Sequence, residues 1–376
     1  MKKIILFLSL LLISTQANAF ETKAKNVILI DADTGAYLLT KNHQIPTPPA
    51  SMSKLMTTYI ILSKLKEGSI NLDDKFSVSE NAWRKGGAAS GGSTMFLPVN
   101  SEATVADLLK GITIVSGNDA CIVAAENIAG SEEAFAIEMN KTAQKLGLKA
   151  SHFANSTGLP HPDHKMSVED LSILAKAIIN EFPEHYSIFK EKFFTYNGIK
   201  QSNRNPLLYS MPEADGLKTG HTEEAGFCLT ATAKRDDRRL IFVMTGLNSN
   251  KERSEEAQNI MNYGFRTFDN YNIFSQGQNI ITMPVALGVR PSIEAIINQD
   301  VKVTTKKIDF SNIKATAIYN SPLQAPIKQG DKIGTLKIEI PKQDSIEVDL
   351  IANSSVAKIG KVKQFFANLK YLILGE

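Results

Sequence analysis

Cysteine, tryptophan and histidine are scarce in this sequence: two, one and six among 376 residues. The histidines form no H-E-x-x-H pair and Cys121 and Cys228 stand far apart, so the ligand spacing of a zinc site is missing and no metal is expected. Cys121 lies in an apolar, helix-like run and Cys228 in an alternating one, which favours two buried free thiols over a disulfide. The glycine-rich stretch at 84–93 lacks Walker A spacing, so it reads as a surface connection or as a loop bordering a site, not as a phosphate cradle. No cofactor is expected. An excess of charge of one sign is missing too. Without Lys2 and Lys3, the 42 basic residues barely exceed the 39 acidic ones, which argues against a nucleic-acid partner.

Those two lysines precede an apolar stretch at 4–13, and Ala17-Asn18-Ala19 follows with small residues at a cleavage spacing. Residues 1–19 therefore read as a secretory leader, with the mature chain starting at Phe20. Hydrophobic residues make up 43% and charged residues 22%, enough apolar content for a packed core.

Against this background three short strings stand out: Ser51-Met52-Ser53-Lys54, Ser116-Gly117-Asn118 and Lys218-Thr219-Gly220. The first pattern alone carries little weight, because S-x-x-K also occurs at Ser63, Ser187, Ser311 and Ser355, and S-x-N also at Ser69 and Ser79. Context selects Ser51. It follows Thr47-Pro48-Pro49-Ala50 and opens an apolar run, as at a helix start. On a helix, residues three apart share a face, so Lys54 can reach the Ser51 hydroxyl.

Alternation over 26–31 and 36–40, around Asp33-Thr34-Gly35, predicts two strands. Helical patterns follow at 51–68, 105–115, 119–128 and 132–146, and one from Ser167 to about 180 begins with a capping arrangement. Ser116-Gly117-Asn118 interrupts this helical layer. Alternation returns at 227–233 and 239–244, an antiparallel pair into which Lys218-Thr219-Gly220 leads. Gly220 would let a ligand backbone approach closely. A helix at 254–268 closes the unit. The fold class expected is α+β, an antiparallel sheet flanked by helices over 20–273, then a small all-β domain over 274–353. Residues 354–376 place Val356, Ile359, Val362, Phe366, Leu369 and Ile373 at helical spacing with lysines around them, too charged to span a bilayer but suited to its surface.

A serine hydroxyl needs a nearby base to act as a nucleophile. Lys54 can serve once neutral, and burial with a second cation, Lys218, would lower its pKa from about 10.4. Ser116 can relay a proton to a leaving amine. Asn118 can hold Lys54 or bind a substrate amide, and Thr219 can bond a carboxylate. The backbone N–H groups of Ser51 and His221 would form an oxyanion hole.

The three strings, together with Ser116-Gly117-Asn118-Asp119-Ala120-Cys121, Phe153-Ala154-Asn155-Ser156-Thr157-Gly158-Leu159-Pro160 and Asp215-Gly216-Leu217-Lys218-Thr219-Gly220-His221-Thr222, now carry a resemblance. Over nearly its whole length the chain resembles the low-molecular-mass penicillin-binding D-alanyl-D-alanine carboxypeptidases. That resemblance implies the penicillin-binding/β-lactamase-like transpeptidase fold, attack by Ser51 on the bond between two terminal D-alanines of peptidoglycan stem peptides, and acylation by β-lactams. It also implies arginines for the substrate's carboxylate, and Arg253 and Arg204 fall where these are expected. The leader and amphipathic tail would place the protein in the periplasm, attached to the outer face of the inner membrane. Two alternatives remain: a β-lactamase on the same scaffold, and a catalytically silent cell-wall binding protein. Glu169, in Ser167-Val168-Glu169-Asp170-Leu171, reads as part of a helix start and not as a deacylating carboxylate, so slow penicillin release is expected.

Overall fold

The computed structural model describes residues 20–361. The segment 1–19 read as a leader and most of the tail expected to be helical lie outside the described residues. Among those described, no helix is long and apolar enough to cross a membrane.

A five-stranded antiparallel sheet organises the first unit. Its strands are β1 (Asn26–Asp31), β2 (Tyr37–Lys41), β3 (Ala214–Thr222), β4 (Gly226–Arg235) and β5 (Arg238–Leu247), in the order β2-β1-β5-β4-β3. β1, β4 and β5 are buried on both faces, which explains their near-continuous apolar runs. One face packs on α1 (Lys54–Lys66), α2 (Val105–Thr113), α3 (Asn118–Ala129), α4 (Glu132–Leu146) and α5 (Val168–Glu181). The other packs on α6 (Asn250–Thr267). Caps set these helices: the hydroxyls of Thr104, Ser131, Ser167 and Ser249 each accept a backbone N–H in the first turn. The cysteines are free and buried.

Two expected boundaries move. Phe268–Phe274 is a strand paired with Val301–Lys306, so the β-rich unit begins at Phe268 instead of 274. The last helix ends at Thr267 and the strand starts at the next residue, with no turn between them to mark the change. At the other end, Val356 is fully buried and exchanges backbone hydrogen bonds with Ile327, while Ile359 N–H donates to Leu287 O. Residues 354–360 thus complete the β unit instead of opening a helix at 354. Spacing by three over so short a run does not separate a helix from an extended segment docked on a sheet. The unit's main sheet has six strands, and aliphatic side chains such as Leu336, Ile338 and Leu350 fill its core.

β3 is an edge strand, and its free side faces the turn that carries Ser51. A side chain on Gly220 would meet Pro49 O at 3.0 Å, Ala50 Cβ at 3.1 Å and Met52 Cγ at 3.3 Å. The absent side chain therefore lets the protein's own turn approach the strand closely.

Candidate active site

Ser51 sits in a 3-10 turn, Ala50–Ser53, that runs straight into α1. Ala50 holds a left-handed φ of 47°, as does Ser116 at 64°. Neither is glycine, and each such residue costs about 1–3 kcal/mol unless its surroundings impose it. Here they do. Ala50 is buried, and its carbonyl is pressed by Gly158 so closely that a Cβ there would stand 2.0 Å from the oxygen. One strained residue precedes Ser51, and the other, Ser116, itself carries the second hydroxyl expected to do chemistry.

Lys54 is wholly buried, and its Nζ lies 2.9 Å from Ser51 Oγ, 2.8 Å from Asn118 Oδ1 and 2.6 Å from Thr157 O. All three partners are neutral. Burial pushes its pKa down to about 8; the charge of Arg204 adds to this, against the opposing pull of Cys121 and Asp119. Lys218 is buried as well, and its Nζ donates to Ser116 Oγ at 2.9 Å and to Thr219 O at 3.0 Å. Its pKa falls well below the ordinary lysine value through burial first, then Lys54 and Arg204. The repulsion between Lys54 and Lys218 is mutual, and Arg204 is a further cation bearing on both.

These groups open on a cavity of about 850 Å³ whose lining includes Ser51, Ser116, Asn118, Thr219, Gly220, His221, Arg204 and Arg253. Every site residue picked from the sequence lies on that wall or, for Lys54 and Lys218, directly behind it. Arg253 is buried, donates to Asn250 Oδ1 at 2.6 Å and stands 5.6 Å from the centre of the Phe227 ring. Among the described residues its Nε has no partner. Burial and then Arg204 lower its pKa to about 10, against the pull of Cys228. Arg204 reaches across the cavity to Ser93 Oγ, which brings Gly91-Gly92-Ser93 to the wall. Of the two readings of the glycine-rich stretch, the loop bordering a site holds.

Two contributors were not foreseen. The Thr157 carbonyl is a backbone atom with no residue-type signature. Asp119 is buried beside Asn118 without a cation, but Thr94 Oγ1 and the backbone N–H groups of Met95, Leu97 and Ala120 donate to its carboxylate. It fastens the loop that carries Ser93. Glu169 lies away from the cavity wall, where it accepts from Tyr37 Oη at 2.6 Å.

Chemically, the arrangement supplies a hydroxyl beside an amine with a lowered pKa, a second amine on a second hydroxyl, and cations with spare donors for an anionic group. The comparisons agree. The family model described as D-alanyl-D-alanine carboxypeptidase matches residues 13–249, and that of the penicillin-binding protein 5 C-terminal domain matches 268–358. D-alanyl-D-alanine carboxypeptidase DacA of Escherichia coli is 36% identical over 84% of this chain and 79% of its own length. DacF of Bacillus subtilis is 36% identical over 90% and 87%. The crystal structure of penicillin binding protein 5 from Haemophilus influenzae superposes with a TM-score of 0.79 at 35% identity, covering 91% of this chain and 99% of that one.

Proposed function

The chain belongs to the D-alanyl-D-alanine carboxypeptidase family, and on that premise we propose that it removes the terminal D-alanine from peptidoglycan stem peptides through an acyl-enzyme on Ser51. One observation carries the residue assignment: the neutral-partnered Lys54 amine 2.9 Å from Ser51 Oγ.

In this reading uncharged Lys54 accepts the Ser51 proton as Oγ attacks the penultimate carbonyl. The backbone N–H groups of Ser51 and His221 meet the oxyanion. The C–N bond then breaks, and the proton travels through Ser116, held by Lys218, to the departing D-alanine amine. Water attacks the ester with Lys54 again as base, which frees the serine. Arg253 offers its unpartnered Nε, and Thr219 its hydroxyl, to the substrate's terminal carboxylate; Arg's planar fork suits that group. Asn118 holds the base in place. A β-lactam acylates Ser51 in the same way, and its release is slow because Glu169 is remote from the ester. Export by the leader, and attachment of the tail beyond Ile359 to the outer face of the inner membrane, complete the proposal.

Intact-mass analysis after benzylpenicillin, with peptide mapping, tests it. The expected result is one adduct on Ser51, and loss of both adduct and D-alanine release in Ser51→Ala. An adduct on another residue, or full release by that variant, defeats the assignment.

A further inference from the structure

We propose that His164 is a positioning residue for the reaction: its bond to Ser53 locks the loop 153–164 onto the turn of the nucleophile and so fixes the carbonyl that holds Lys54. This rests on the reading of Ser51 as nucleophile and Lys54 as base.

Ser53 stands between these two residues and is wholly buried. Its hydroxyl points away from the cavity, 2.7 Å from His164 Nε2. The other ring nitrogen settles the direction of that bond. Ala154 N–H donates to His164 Nδ1 at 3.3 Å, so Nδ1 carries the lone pair and Nε2–H donates to Ser53 Oγ. The ring also packs edge-on against Phe153, with centroids 5.6 Å apart. One imidazole therefore joins both ends of the loop to the turn.

Between those ends the loop makes the contacts that matter. Thr57 Oγ1 donates to Ser156 O at 2.6 Å, and Lys54 Nζ donates to Thr157 O at 2.6 Å. Asn155 Oδ1 accepts from the backbone N–H groups of Thr157 and Gly158 and curls the loop so that the Thr157 carbonyl faces the amine. Residues 53, 54 and 57 are thus all tied to one loop; the backbone pair His152–Lys165 closes the loop at its base, and the His164 bond fastens that closed end to the turn of the nucleophile. Burial first, then the neighbouring His152, His161 and Lys54, push the His164 pKa down to about 4. At ordinary pH the imidazole stays neutral, so it closes the site behind Lys54 without adding charge. Without that lock water reaches Nζ, and Lys54 drifts back towards the value of an exposed lysine.

The test uses the full chain. Acylation by a fluorescent penicillin and D-alanine release are followed from pH 6 to 10 for His164→Leu, His164→Gln, Ser53→Ala and the Leu/Ala double variant. His164→Leu and Ser53→Ala are expected to lose about 10- to 100-fold in kcat, because a displacement near 1 Å has that consequence. KM should move less than about twofold, since the carboxylate-binding wall is untouched. The acid limb, expected near 8 in the native protein, should rise. His164→Gln keeps an N–H for Ser53 and should recover most of the rate, and the double variant should be no worse than either single one. Should His164→Leu not fold, Ser53→Ala deletes the same bond by removing one oxygen and decides the matter alone. A lower Tm with unchanged kcat and acid limb, or additive losses in the double variant, overturns the proposal. A penicillin adduct surviving Ser51→Ala would instead overturn the nucleophile itself.

Discussion

Two buried lysines and two half-buried arginines lie around the same sheet, and they are treated in opposite ways. Arg238 and Arg239, at the start of β5, meet carboxylates: Arg238 Nε lies 2.9 Å from Asp31 Oδ2, and Arg239 Nη2 2.7 Å from Asp215 Oδ2. Burial works against the Arg239 charge, but Asp215 more than offsets it, and the pKa rises. Lys54 and Lys218 meet only hydroxyls, an amide oxygen and carbonyls, and both fall. Asp215 and Lys218 are three residues apart on β3, so the difference lies in the partner supplied and not in the region. Asp119, the carboxylate next to Asn118, is saturated by four donors of the 94–120 segment. A compensated cation builds the fold, whereas an uncompensated one is held ready to take a proton.

The most severe way to test that contrast is Lys54→Met. Losing the base should cut acylation at least about 10³-fold. The fold should not suffer. The folded pKa, about 8, lies below the ordinary 10.5, so the folded protein binds this proton less readily than the unfolded chain. The resulting destabilisation is complete below about pH 8 and fades as pH rises towards 10.5. Methionine removes it, and Tm at pH 7 should stay level or rise. In the native enzyme the same value gives a rate that climbs through pH 8, with about a tenth of the sites competent at pH 7.

Supplying the missing carboxylate is the next test. Asn118→Asp puts a charge 2.8 Å from the amine, raises the Lys54 pKa and should lower acylation at pH 7 by about 10²-fold, with partial recovery at higher pH. Breaking the other member of the comparison should do the reverse. Asp215→Asn leaves the Arg239 guanidinium short of charge, and stability should drop by about 2 kcal/mol in urea unfolding, low in the range for such pairs because both side chains are partly exposed. Activity per folded molecule should stay within about twofold.

Much of this was legible in the sequence, and the gaps have physical causes. α4 was read to its true ends because Ser131 and Gly147 cap it. The strands β1, β4 and β5 declare themselves as short segments on either side of polar turns. Ser51 and Lys54 were found because one helical turn couples them, and Lys218 because its string is unique. Whatever depends on the chain meeting itself was hidden: the Thr157 carbonyl, Arg204 as a further cation near Lys54, and the His164–Ser53 bond across 111 residues. The boundary at Phe268 was invisible because nothing in a strand that directly continues a helix requires a turn residue.

The smallest expected effect concerns Glu169, the one carboxylate whose role decides between a target of β-lactams and an enzyme that destroys them. It lies in the first turn of α5, where the helix dipole favours an anion, and its backbone N–H donates to His43 O. Its side chain accepts from Tyr37, which in turn packs edge-on against His43. Every contact thus serves to tie α5 to β2, and the Tyr37 bond is exposed to solvent. Glu169→Gln keeps an acceptor for that hydroxyl and gives up only a weak helix-end charge term, about 0.3–1 kcal/mol. Release of benzylpenicillin and turnover of nitrocefin should then change by less than about twofold. A carboxylate that activated water at the ester would be worth about 10²–10⁴-fold, so a loss of that size would place Glu169 in the chemistry and turn the reading towards a β-lactamase.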